Sequence, residues 1–220
     1  MKKLNNWFIP DTDNPEKLKM VTENNFQCES GISSSFKYIK KFNNAIDVGS
    51  WIGDSTVLIA TKFKNVKVFE PNPAVLECCK ENLKIRNIVN CEFFDIGLSN
   101  TSGEQLLINK AKTFSGWIST VELSAKDRQR AIPVKTARID DFNFTDIDFI
   151  KIDVDSHEGF LIEGSMNFFK TNDPVIMIES KLRDQQRFQN NTMPDPLQLL
   201  QTFGYTIKEK IGKADYILTR

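Results

Sequence analysis

From Asn44 to Arg220 the sequence predicts an α/β fold, a mostly parallel, doubly wound sheet with helices on both faces. Three observations carry that expectation. Short apolar runs of strand length alternate with stretches of helical periodicity. Residues that start and stop helices stand between them. The last two β-like runs are separated only by Gly212, Lys213, Ala214 and Asp215, which reads as an antiparallel hairpin.

Residues 1–43 are polar and Asn-rich and contain Pro10 and Pro15. They read as a separate N-terminal segment on the cap or substrate side, with a helix near 33–40. Residues 44–220 read as one main domain. Residues 45–48 form a short strand ending at Gly49, followed by a helix at 55–63 whose Val57, Leu58, Ile59 and Ala60 are apolar. A second strand spans 66–69. The next helix, 73–86, has Asn72 as its N-cap and Pro73 at its first position. Its Val75, Leu76, Cys79 and Leu83 recur at helical spacing. A Phe-rich third strand covers 91–98. Residues 99–140 are less regular, with short strands at 106–108 and 134–137 and a polar loop at 115–119. A strand at 148–154, a helix at 159–170 and a strand at 175–179 follow. The helix at 196–203 stops at Gly204, and the hairpin strands are 205–211 and 216–219.

A chain of 220 residues suits one domain with a full core. Lys+Arg and Asp+Glu both total 29, so the net charge of zero removes the general electrostatic argument for nucleic acid or an anionic membrane as partner. The opening MKKLNNWFIPDTD has two lysines with no apolar run behind them, so no signal peptide is expected. No stretch approaches the roughly 20 apolar residues of a membrane span, and the cytoplasm is the expected location. Cys28, Cys78, Cys79 and Cys91 form no C-x-x-C pair and read as small apolar side chains in a reduced protein.

In doubly wound sheets, ligands bind outside the carboxyl ends of the strands where strand order reverses. The first strand end reads NAIDVGSWIGDST. Asp47 precedes Gly49, where a backbone can approach a ligand closely, and Gly53 stands at the mouth of a helix. That helix start offers amides and a positive dipole end to a carboxylate. Ser50 and Ser55 belong to the same candidate set. The second strand ends in Glu70, placed to accept hydrogen bonds from ribose hydroxyls. A dinucleotide site asks for G-x-G-x-x-G, but the spacing here is D-x-G-x-x-x-G with no third glycine. S-adenosylmethionine (SAM) carries an ammonium and a carboxylate in place of phosphates, and an acid before the first glycine suits that ammonium. NAD(P), or no cofactor, are the alternatives. Asp95, near the end of the third strand, reads as a contact to the adenine amine or as an exposed strand-end carboxylate.

The fourth main strand carries Lys151 and Asp153 two residues apart, hence on one face. Each needs a partner, whether the other, Glu179 or a ligand, because unpaired buried charge is costly. Asp153 is close enough to the strand end to line the cleft. Asp155 and Glu158 fit a capping box with Asp155 as N-cap. His157 is the only histidine and sits at the expected edge of the site. Asp153 and His157 are therefore the candidate catalytic bases, His157 having the better-matched unperturbed pKa of roughly 6.5. A divalent metal near Asp153 and Glu179 is a minor alternative.

Taken in order, the strings AIDVGSWIGDST, VFEPNP, IDDF before IDFIKIDV, HE followed by EGSM, and VIMIES resemble the FkbM family of methyltransferases over residues 44–180. The opening WFIPDTD looks like the start of some members. The family's V-E-G-x-E appears here as Val154-Asp155-Ser156-His157-Glu158, with Asp for Glu and Ser for Gly. The resemblance implies a Rossmann-like class I methyltransferase with a seven-stranded sheet ending in an antiparallel hairpin. It implies SAM as donor, a hydroxyl of a small molecule or glycan as acceptor, and Asp47, Gly49, Gly53 and Glu70 as residues that hold the cofactor. Bulky Trp51 either covers the methionyl end of the cofactor or packs on the N-terminal segment. Residues 114–120, with Trp7 and Phe8, are the expected acceptor side. Methylation of a carboxyl or amine, SAM binding without catalysis, and an interaction protein are the competing readings.

Overall fold

A computed structural model describes residues 1–11, 14–26, 28–109, 116–119, 122–181 and 192–220. The chain opens with β1 (Lys2–Leu4) and β2 (Trp7–Ile9). Asn5 and Asn6 turn between them at φ 43° and 63°, the left-handed pair of a tight hairpin that Asn tolerates well. Next come α1 (Pro15–Thr22), α2 (Glu29–Ser35) and a 3-10 turn at Phe36–Tyr38. The helix expected at 33–40 thus begins earlier and tightens at its end.

The main domain continues with β3 (Asn44–Val48), α3 (Asp54–Ala60), β4 (Asn65–Phe69), α4 (Pro73–Lys84), β5 (Cys91–Phe94) and β6 (Gly97–Leu98). Then follow β7 (Gly103–Asn109), β8 (Gly116–Ser119), α5 (Ala125–Arg128), β9 (Ala131–Ala137) and a 3-10 turn at Ile139–Phe142. The remainder is β10 (Phe149–Ile152), α6 (Glu158–Glu163), α7 (Phe168–Thr171), β11 (Val175–Glu179), α8 (Pro196–Thr202), β12 (Thr206–Ile211) and β13 (Asp215–Thr219).

The central sheet has seven strands in the order β12-β13-β11-β10-β3-β4-β5. β3, β4, β5, β10 and β11 run parallel, and β13 runs antiparallel to both β11 and β12. The chain moves outward from β3 in one direction and returns on its other side at β10, so the switch point lies between these two strands.

Side-chain alternation divides the sheet into two cores. Ile46, Val48, Ile150, Ile152, Ile176 and Ile178 pack with Leu161, Phe168 and Leu200 on one face. Ala45, Phe149, Val175 and Met177 pack with Ile32, Ile59 and Leu83 on the other. Asn72 caps α4 as its sequence indicates, its Oδ1 accepting from the Ala74 amide at 3.1 Å.

Three expectations change. The strand at 91–98 breaks after Phe94, and Gly97–Leu98 joins a second, four-stranded sheet of order β6-β9-β7-β8. Gly116–Ser119 is part of that sheet rather than loop, because Ile118 pairs opposite Leu107 and both are buried. The helix at 159–170 divides into α6 and α7 at Gly164, whose Cα lies so near the Ser99 carbonyl that a Cβ would stand 2.1 Å from it.

The N-terminal segment is packed on the domain. Trp7, Ile9, Val21 and Phe26 share a core with Ile52, Val75 and Cys78. Asn82 of α4 donates to the Phe8 and Ile52 carbonyls at 2.8 Å each and accepts from the Phe8 amide at 2.6 Å. Trp7 is thus core, and Phe8 packs against it rather than facing an acceptor. All four cysteines are free. Among the described residues no helix is long and apolar enough to cross a membrane.

Candidate functional site

A cleft of about 360 Å³ opens over the carboxyl ends of the parallel strands, at the switch point. Gly49 and Trp51 border it after β3, Glu70 and Pro71 after β4, and Ile96 to Leu98 after β5. Asp153 to Asp155 border it after β10, and Glu179 with Lys181 after β11. Leu107, Gly116 and Ile118 of the second sheet form an apolar wall, and Glu16, Lys17 and Met20 of α1 close the opposite side. Phe114, Ser115 and Thr120, expected on the acceptor side, lie outside the described residues.

Asp47 does not reach this cleft. It is fully buried, and its Oδ2 accepts from the Ser55 and Thr56 hydroxyls at 2.7 Å each. Its Oδ1 lies 3.4 Å from the Lys151 ammonium. The cause is register: Asp47 and Lys151 are paired positions on adjacent strands and point to the same face. Lys151 also donates to the Gly49 carbonyl at 2.7 Å and lies 3.8 Å from Asp153. Burial alone would push the Lys151 ammonium down, but Asp47 and Asp153 overcome it and the net shift is upward. Asp47, read as a partner for an ammonium, instead has a structural role beneath the loop after β3.

Gly49 has φ +79°, and a Cβ there would stand 1.8 Å from the Asp153 carbonyl. The close approach that demands glycine is therefore between two strand ends of the protein. Gly53, at φ +91°, packs on Cys79 and Leu83 of α4 and precedes α3. Ser50 is buried beside it, outside the cleft wall, whereas Ser55 borders the cleft while holding Asp47. Asp95 is exposed and is not part of the wall, because the chain turns there to leave one sheet for the other.

Glu70 is positioned as its place at a strand end suggests. Its Oε1 accepts from the Asn72 amide at 2.9 Å and its Oε2 from the Trp51 amide at 3.1 Å. The carboxylate thus ties the end of β4 to the loop after β3. Burial pushes it up to about 7, against the pull of these two amides.

Beyond Asp153 the wall is acidic. One carboxylate oxygen each of Asp153, Glu158 and Glu179 lies within 4.8 Å of the others, a spacing that a shared proton or a divalent cation would relieve. Glu158 is fully buried and accepts from the Val154 and Ser156 amides at 3.2 and 3.3 Å. Burial, then its own backbone contact against the repulsion of Asp153 and Glu179, leaves it at about 8. Burial and the Asp153 charge push Glu179 up to about 7, although Lys181 is hydrogen-bonded to it.

The start of α6 differs from the expected capping box. His157, not Asp155, is the N-cap residue, and Glu158 folds back onto the preceding amides. Asp155 and Ser156 have φ 50° and 76°, the left-handed region that L side chains avoid. Ser156 thus stands, strained, where the family pattern has glycine. Ser156→Gly is expected to raise stability by roughly 0.5–1 kcal/mol, relief of that strain exceeding the added freedom of the unfolded chain. Urea unfolding would show the midpoint rising at constant slope, and a lower midpoint would contradict it.

His157 is also removed from the chemistry. It is fully buried, its Nδ1 is 3.0 Å from the Ile118 carbonyl and its Nε2 is 2.9 Å from the Ser99 hydroxyl. Both nitrogens are occupied, and the ring bolts α6 to the second sheet. Burial pushes its pKa down to about 4. The folded state therefore binds fewer protons than the unfolded chain, whose imidazole titrates near 6.5. This group's contribution is complete above pH ~6.5 and is lost as pH falls toward 4, on the order of 3 kcal/mol. The raised carboxylates Glu70, Glu158 and Glu179 tilt stability the opposite way over an overlapping range. The test is accordingly a difference: between pH 7 and 4.5, wild type should lose more stability than His157→Asn. Parallel pH profiles would refute the assignment.

Sequence reading missed Lys17, Asp54, Cys28 and Lys181 as cleft residues. Cys28 donates to the Asp54 carboxylate at 3.1 Å, a contact between segments 26 residues apart that no local pattern signals.

Comparison with known proteins places this geometry. A family model described as the methyltransferase FkbM domain matches residues 47–207. No curated protein sequence matches the chain. Among solved structures, the methyltransferase FkbM from Methylobacillus flagellatus KT superposes with a TM-score of 0.56 at 14% identity, over 95% of this chain and 56% of that one. The chain thus spans little more than half the length of that protein. A precorrin 8w decarboxylase from Methanobacterium thermoautotrophicum gives 0.54 at 13% identity over all of both chains. A putative methyltransferase from Streptococcus mutans, in complex with SAH, gives 0.52 at 11% identity over 88% of this chain and 96% of that one. At such identities these likenesses concern the fold. The family match covers most of the chain, and the protein belongs to the FkbM methyltransferase family.

Proposed function

We propose that the cleft binds SAM and that the chain transfers its methyl group to a hydroxyl oxygen of a small-molecule or glycan acceptor. The observation that carries this reading is Glu70, held by the Trp51 and Asn72 amides at the end of β4, beside the Gly49 loop. Each of its oxygens keeps a lone pair for a ribose hydroxyl. The donor set fits the rest of the molecule. Ile96, Leu98, Leu107 and Ile118 offer an apolar slot for a flat base.

When bound, SAM supplies a methyl group already activated on a sulfonium. The chain's task is then to align an acceptor oxygen, exclude water and take one proton. Asp153 borders the cleft, and Glu179, at about 7, lies beside it. Asp153 and Glu179 replace His157 as the proposed base by their place at the cleft, and Glu179, near neutrality, is well matched to such a task.

The test is incubation with methyl-labelled SAM and pooled acceptors bearing hydroxyl, carboxyl or amine groups. Label in a base-stable ether supports the proposal. Label released as methanol by mild base would mark a carboxyl acceptor. Cofactor binding with no turnover on any acceptor would mark a binding protein.

A further inference from the structure

Glu16, Lys17 and Met20 of α1 close the cleft opposite the second sheet. We propose that Lys17 binds the carboxylate of the cofactor's amino-acid tail, so that the N-terminal segment completes the cofactor site. The inference rests on SAM as the ligand.

Among the described residues three lysines border the cleft, and two are committed. Lys151 serves Asp47, Asp153 and the Gly49 carbonyl, and Lys181 is paired with Glu179. Lys17 makes no ion pair among the described residues. Its ammonium lies instead 4.4 Å from the centre of the Trp51 ring. The other charged side chains of the wall, among the described residues, are acids, including Glu16, Asp54, Glu70, Asp153 and Asp155. Among the described residues of the wall, Lys17 is the cation that no carboxylate already neutralises, so an incoming carboxylate is best met there.

The start of α3, the sequence's own candidate for that carboxylate, is unsuitable. The helix has only seven residues, and its first-turn side chain is Asp54.

Lys17 is held in place. Asn14 caps α1 by accepting from the Lys17 amide at 3.0 Å. Asn5 of the N-terminal hairpin donates to the Val21 and Thr22 carbonyls at 3.2 and 2.8 Å. Trp51 connects the two ends of the ligand site. Its amide donates to Glu70, its ring faces Lys17, and it holds φ 46°, a backbone conformation costly for a bulky residue. That strain aims both groups into one cleft.

The experiment is calorimetric titration of wild type, Lys17→Met and Lys17→Arg with two probes. S-adenosylhomocysteine has the amino-acid tail, and 5′-methylthioadenosine lacks it. Lys17→Met should bind the first probe ~10- to 100-fold more weakly, as expected for loss of a charge-assisted contact, and the second unchanged. Lys17→Arg should recover most of the loss. Equal affinity of wild type and Lys17→Met for S-adenosylhomocysteine overturns the inference and leaves the SAM reading standing. Equal weakening of both probes also overturns it, since Lys17 would then be supporting the fold. Wild type that binds neither probe overturns the SAM reading itself.

Discussion

Lys151→Met is expected to cost about 3–5 kcal/mol of folding stability, a large share of the total for a domain of this size. The substitution keeps the length of the side chain and removes its charge. Asp47 would then be a fully buried carboxylate with only the Ser55 and Thr56 hydroxyls for partners. The Gly49 carbonyl would lose its donor at the same time. The double variant Lys151→Met/Asp47→Leu should recover most of the loss, because a buried pair replaced by apolar side chains of similar volume is often tolerated. Denaturant titrations of both variants supply the cycle. A single variant within 1 kcal/mol of wild type would show that this pair does not hold the strand ends together.

Asp153→Asn should lower kcat roughly 100- to 10,000-fold, the usual range for loss of a positioned base. Affinity for S-adenosylhomocysteine should change only a few-fold, since Asp153 meets the acceptor rather than the cofactor in this account. The amide is nearly isosteric and relieves repulsion with Glu158 and Glu179, so the protein should remain folded. Full turnover in Asp153→Asn would move the proton to Glu179 or remove the need for a base.

What was legible in the sequence follows from how locally each feature is encoded. β3, β4, β10 and β11 are short runs dominated by Val, Ile, Phe and Met, broken by single charges such as Asp47, Lys67 and Lys151, and such a run reads as strand without knowledge of its neighbours. Asn72-Pro73 and Gly204 mark helix limits through their own dihedral preferences. The departures are features of partnership. Asp47 looks like a ligand group until the β3–β10 register sets Lys151 beside it, and these strands are about a hundred residues apart. His157 adjoins a functional motif in sequence, yet the left-handed pair Asp155 and Ser156 turns its ring inward toward Ser99 and Ile118. The second sheet supplies β8 with a partner that no local periodicity announces. Lys17 reaches the cleft only because Asn82 and the apolar core of Trp7, Ile52 and Val75 dock the N-terminal segment against α4 and the Trp51 loop.

The central claim is that the Glu70 carboxylate and the Gly49 loop form an adenosine site. Calorimetric titration of wild type and Glu70→Ala with adenosine-bearing S-adenosylhomocysteine tests it most directly. The account predicts saturable one-to-one binding by wild type and at least a tenfold loss in Glu70→Ala, the cost of two lost hydrogen bonds to ribose hydroxyls. Equal affinity in the two proteins, with both shown to be folded, would contradict it.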